Sequence, residues 1–232
     1  MLGVISWASL GIAFACSAVI LVDVVRHPQK MGIMNVVWPV TPLYGSVFAL
    51  WAYFRRGRSA AKDFQRPMPE AQREKIMKDA TEHPTPPQIA IATSHCGAGC
   101  ALGDLGAEFL VFALALRLLG SDLAASFAID YIFAWTLGVA FQYFTIAPMR
   151  GLSFLPGIRA AIKADTLSIT AWQVGMYGWM ALTYFVFFPA PHLRANQAQY
   201  WFMMQLAMIV GFATSYPMNY ILVKAGWKEA MA

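Results

Sequence analysis

Four stretches of the chain, Met1–Val22, Met31–Phe54, Thr166–Pro189 and Ala195–Val223, contain no Lys, Arg, Asp or Glu at all. A fifth, Leu123–Met149, contains only Asp130. Crossing the ~30 Å hydrocarbon core of a bilayer takes about 20 apolar residues at 1.5 Å each, and every one of these runs is that long. A sixth segment, from near His95 to about Leu119, is apolar except for Asp104 and Glu108 and for Arg117 near its end. None alternates every second residue, so a β-barrel is excluded, and lipid-exposed backbone then leaves only helices.

The remaining composition agrees. Only 12% of the residues are charged and 59% are hydrophobic, whereas a soluble domain carries about 25% charged residues. A soluble enzyme and a disordered chain are both ruled out. The expectation is an all-α, polytopic membrane helix bundle forming one membrane domain over 1–232. Its six transmembrane helices are predicted at about 2–22, 33–54, 96–119, 123–147, 166–188 and 198–222. Met1–Val22 has no basic start and too long an apolar part for a cleaved signal peptide, so it is read as a membrane helix.

Basic residues set the expected orientation. Arg55, Arg56, Arg58, Lys62, Arg66, Arg73, Lys75 and Lys78 crowd the loop 55–94. Arg150, Arg159 and Lys163 follow helix four, and Lys224 and Lys228 follow helix six. With six spans, only Arg26, Lys30 and Arg194 fall on the other side. Both termini and the long loop are therefore expected in the cytoplasm, with the protein in a bacterial cytoplasmic membrane. Within the loop, Glu70–Ala80 reads as a short amphipathic helix held at the surface by anionic lipid. Interleaved acidic residues cancel most of its charge, so nucleic acid is not expected as a partner.

The third predicted helix carries the chemistry. His95–Asp104 reads HCGAGCALGD, with Glu108 four residues on. Cys96, Cys100, Asp104 and Glu108 are thus spaced by four, a single stripe on a helix. Gly99, Gly103 and Ala107 form a small-residue stripe beside it, the pattern that admits a neighbouring helix closely. The polar stripe should therefore face the bundle interior. Glu108 and Asp130, on helix four, are expected near mid-membrane. A carboxyl there costs about 2.5–3.5 kcal/mol or more unless paired, protonated or hydrated, so a functional site is the default reading. No Lys or Arg lies in the middle of a span to pair with them, and Arg117 is a partner only at the outer boundary.

Soft thiolate and thioether ligands suit Cu(I), and His and carboxylate extend such a site to Zn(II). The expected metal residues are His95, Cys96, Cys100, Asp104, Glu108, Asp130, Met149 and Met218, the two methionines lying at the cytoplasmic level of the thiols. The expected function is handling or transport of a transition metal ion, copper foremost. Two alternatives remain open, a membrane thiol–disulfide protein and a non-catalytic, oligomerising helix bundle. Catalysis has no motif behind it: GxxxxGK[ST], HExxH and GxSxG are absent. Haem and nucleotide are not expected, since His27, His83, His95 and His192 lie at span boundaries or in loops. Asp165 reads as the N-cap of helix five, with pairing to Lys163 or Arg150 as the alternative.

Four blocks resemble an uncharacterised bacterial membrane family catalogued only as a domain of unknown function. They are Met34–Arg58, Ser94–Glu108 (SHCGAGCALGDLGAE), Ala147–Leu152 (APMRGL) and Ile162–Met180. The resemblance runs from about Asn35 to the C-terminus and is most specific at the HCGAGCALGD block. It implies a shared multi-helix fold and brings no activity.

Overall fold

The computed structural model describes residues 1–63 and 69–230. Arg66 and Pro67 of the basic loop lie outside the described residues, as do the side chains of Arg73 and Glu74. The fold is all-helical, with no strand ladder among the described residues. Its helices are α1 (Leu2–Arg26), α2 (Met34–Val40), α3 (Pro42–Ala52), α4 (Glu70–Glu82), α5 (Pro86–Leu114), α6 (Asp122–Arg150), α7 (Phe154–Leu182) and α8 (Ala198–Lys224). Four of them, α1, α5, α6 and α8, are long and apolar enough to cross a membrane. α7 is as long as α5 and α6, but Arg159, Lys163 and Asp165 make its first half more polar.

Local chemistry sets the boundaries. Thr85 and Gln88 form a reciprocal capping box ahead of Pro86, which starts α5 well before the first residue of the predicted span. Ser121 caps α6 by accepting from the Ala124 N–H at 3.2 Å. Gly151, at φ +63°, closes α6 with the left-handed turn that glycine tolerates. α7 begins at Phe154, behind Ser153. Asp165 is consequently three turns inside a helix rather than at its cap, and the expected loop 151–165 is mostly helical.

Helices α5 to α8 run antiparallel in sequence, each packed on the next. The closest approach is between α5 and α6. A Cβ built on Gly99 would sit 3.1 Å from the Gly138 Cα, and one on Gly103 would sit 2.6 Å from the Ala134 nitrogen. The small-residue stripe therefore lies directly against the α6 backbone. Gly103→Val is expected to destabilise the bundle by about 1–3 kcal/mol, because backbone cannot yield as a side chain does. Gly106→Ala is the control, its Cβ meeting only the Phe133 ring at 3.6 Å. Thermal unfolding in detergent should separate the two variants by several degrees.

The first sixty residues depart from the predicted topology. α1 runs alongside α8 in the same direction: Gly3 lies against Gln199, and Ser9 donates to Gln205 Oε1 at 2.8 Å. At the other end of α1, Asp23 accepts from the Tyr53 hydroxyl at 2.7 Å and from Arg58 Nε at 3.1 Å. The chain entering α2 pairs with the chain leaving α3, through the Gln29–Ala61 bridge and the Lys30 N–H to Ala60 carbonyl bond. Residues 33–54 therefore enter and leave at one end of the bundle as a helical hairpin. They do not span.

The physical reason is a backbone break at Ser46. Thr41 keeps helical dihedrals ahead of Pro42, and Ser46, at φ +47° and ψ −129°, is the residue that leaves the helix, so the chain reverses there where a single helix kinked by Pro39 and Pro42 was expected. The tip is buried in protein, which makes broken backbone tolerable at membrane depth. There the Leu43 carbonyl accepts from Gln205 Nε2 at 2.7 Å, and Tyr44 lies edge-on to Trp172. The end-to-end helix expected over 33–54 is thus replaced by a hairpin. The start of α1 and the end of α8 lie at opposite ends of the bundle.

The two ends differ in charge. Among the described residues, every Lys and Arg except Arg117 and Arg194 falls in segments that start or finish at the end holding residues 26–33, 53–63, 150–154 and 224–230. This is called the basic end below, and the opposite one the far end.

Candidate functional site

Cys96, Cys100, Asp104 and Glu108 all point into the bundle. The first three are wholly buried and Glu108 is 5% exposed. They climb about 18 Å along α5 at 1.5 Å per residue. His95, at the base of the stripe, is buried too, its Nε2 3.0 Å from the Thr145 hydroxyl of α6. Its Nδ1 has no hydrogen-bond partner.

The carboxyls cluster in the upper half. Asp104 Oδ1 accepts from Gln173 Nε2 of α7 at 3.1 Å, and its Oδ2 is unpartnered. Glu108 Oε2 accepts from the Ser126 hydroxyl of α6 at 3.1 Å. Asp130, 1% exposed, faces both other carboxyls and lies within hydrogen-bonding reach of Glu108, a contact that needs a proton on one of the two. Around the cluster stand the phenols of Tyr177, which donates to the Phe127 carbonyl at 2.6 Å, and Tyr200. No Lys or Arg pairs with these carboxyls among the described ion pairs.

The stripe opens at its top. A cavity of about 210 Å³ at the far end is lined by Glu108, Ser126 and Tyr200, with Arg117, Asp122 and Arg194 around it. Glu108 is therefore the first ladder group met from that side. At the bottom the column ends on a buried ion pair. Lys228 Nζ lies 2.8 Å from Asp165 Oδ1, and both side chains are fully buried. Burial alone would lower the Lys228 pKa, but the Asp165 carboxylate outweighs it and pushes the value above the usual lysine range.

The predicted residues thus divide. Asp104, Glu108 and Asp130 come together, and Cys96 and Cys100 are in side-chain contact. Met149 and Met218 are only half-buried, near the basic ends of α6 and α8. The described residues assemble no group of three or more His, Cys, Asp and Glu arranged to hold a metal ion. A closed four-ligand Zn(II) site is therefore not built from them.

Sequence reasoning missed the role of Asp165 and Lys228. The first stood where a helix cap was expected, and the second counted only as a tail charge. It missed Tyr44 as well, whose hydroxyl reaches the Ser94 carbonyl at 3.4 Å and brings the hairpin tip beside the thiols. Gln173 was visible as a mid-helix polar residue, and its partner was not.

No curated protein and no solved structure matches the chain. A family model does match, over residues 87–228, and so takes in the thiols, all three carboxyls, Asp165 and Lys228 while leaving α1 and the α2–α3 hairpin outside. The resemblance expected from about Asn35 onward is accordingly shorter at its start. The chain belongs to the family described as Domain of unknown function (DUF4396).

Proposed function

We propose that the protein is a bacterial cytoplasmic-membrane protein that transports or transfers a transition metal ion, copper foremost. In this reading α1, α5, α6, α7 and α8 cross the bilayer and the α2–α3 hairpin is re-entrant. The basic end faces the cytoplasm, as the distribution of Lys and Arg favours. The protein then stands with the start of α1 outside and the end of α8 inside.

The observation that carries the reading is the ladder itself. Two thiols and two carboxyls, one turn apart, line the bundle interior and meet a cavity at one end. Carboxyls without cationic partners are costly in this setting, and a passing cation is what offsets them. Cu(I) suits the lower half because thiolates are soft donors. The route runs from the cavity past Glu108, Asp130 and Asp104 to Cys100 and Cys96. A thiol–disulfide role is less well supported, since both sulfurs are fully buried and a partner thiol has no access to them.

Metal analysis of gently purified protein tests this. Wild type is expected to hold up to about one copper per chain, and Cys96→Ser/Cys100→Ser to hold none. Equal, negligible content in both would overturn the reading.

A further inference from the structure

The last described residues fold back into the bundle. Gly226, at φ +67°, turns the chain after α8, and the Trp227 and Lys228 N–H groups both donate to the Leu222 carbonyl. Two surface contacts hold this strap. Glu229 pairs with Arg150 at 2.7 Å, and the Lys163 ammonium sits 4.2 Å from the centre of the Trp227 ring. Together they drive the Lys228 side chain inward to full burial.

What it meets there is a pocket of oxygens. The ammonium is 2.8 Å from Asp165 Oδ1 and 3.4 Å from the Ser168 hydroxyl. Ser215 and Asn219 of α8 continue the polar wall, the Ser215 hydroxyl donating to the Ser168 carbonyl at 2.9 Å. Two further buried oxygens of this region are unpartnered, Asp165 Oδ2 and Asn219 Oδ1. Asp165 Oδ2 points toward Gly138, the α6 glycine against which Gly99 packs, and Gly99 adjoins Cys100 and lies about one turn from Cys96. Lys228 lies within electrostatic reach of His95, Cys96 and Cys100. A buried pair of this kind seldom adds much stability relative to apolar residues, so its presence calls for another explanation.

We propose that Asp165 and Ser168 form a cation subsite at the basic end of the ladder, and that Lys228 is a tethered ammonium occupying it. The strap 225–230 is then a removable plug. While it is seated, the thiols are closed off from the basic end and the subsite is filled by the chain's own cation. When it withdraws, Asp165 becomes the exit ligand for a cation leaving the thiol pair. The inference rests on the metal reading for the identity of that cation, but not for its test.

The test uses full-length protein with Cys16→Ser, no metal, and two methanethiosulfonate reagents of similar size, one trimethylammonium and one sulfonate. Modification of Cys96 and Cys100 is followed by mass spectrometry. Trp227→Ala/Glu229→Ala releases the strap while leaving Asp165 and Lys228 intact, and Lys228→Met empties the subsite. Both are expected to react about ten-fold faster or more than wild type, as a locally opened segment does. In Lys228→Met the gain should favour the cationic reagent, because Asp165 is then uncompensated, and Lys228→Arg should restore the slow rate. Unchanged rates in both variants, with melting temperature preserved, would overturn the plug. Equal gains for the two reagents would overturn the cation subsite. Loss of copper binding on its own would count against the metal reading and leave these rates untouched.

Discussion

Lys30→Cys and Ser59→Cys are expected to react with a membrane-impermeant thiol reagent from the same side of the membrane, and Leu119→Cys only from the other. All three positions are exposed, and Leu119 is 97% so, whereas the native Cys16, Cys96 and Cys100 are buried and leave a low background. The expectation follows from hydrogen bonds that tie residues 28–30 to 60–62 across the mouth of the α2–α3 hairpin. A spanning helix of 33–54 would separate these two segments by the full bilayer, about 30 Å. The effect is all or none. Labelling of Lys30→Cys from the side opposite Ser59→Cys would restore the six-span topology and remove Tyr44 from the neighbourhood of the thiols.

Glu108→Gln carries the second large effect. Copper flux into proteoliposomes should fall to near background, while the copper content of the purified protein stays at the wild-type level. The two readouts separate because Glu108 sits at the cavity, about two to three turns of α5 away from the thiols proposed to hold the ion. Glutamine keeps the shape and still accepts from Ser126, so packing is preserved and only the negative charge is lost. Asp104→Asn should behave similarly, its amide still able to meet Gln173. Unchanged flux in both variants would reduce the carboxyls to packing partners.

What could be read from the residues alone follows from where the physics is local. The α5 stripe was legible because four-residue spacing fixes a helical face whatever surrounds it, and the glycines beside it fixed which face is inward. The apolar runs of α1, α6 and α8 were legible for the same reason. The hairpin was not. Met31–Phe54 has the length and apolarity of a span, and only the backbone break at Ser46, with its positive φ, reveals that it turns back. Arg26 and Lys30 were counted apart from the other basic residues on that reading, and the structure places them at the same end as the basic loop.

Asp165 illustrates the other limit. Lys163 and Arg150 lie closer to it in sequence, yet its partner is Lys228, 63 residues on. A buried ion pair between helices has no periodicity to betray it. Its only trace in the sequence is a carboxylate that lacks a four-spaced basic neighbour. The Glu108–Asp130 encounter was legible, by contrast, because both depths could be counted from helix ends at 1.5 Å per residue.

Copper K-edge X-ray absorption on full-length protein loaded with Cu(I) tests the central claim most directly, because it reports the donor atoms themselves. A first shell of two sulfurs that disappears in Cys96→Ser/Cys100→Ser is the expected result. A shell of oxygen and nitrogen alone, or one unchanged by the double substitution, would contradict the assignment of the ladder's thiols as the metal-holding pair.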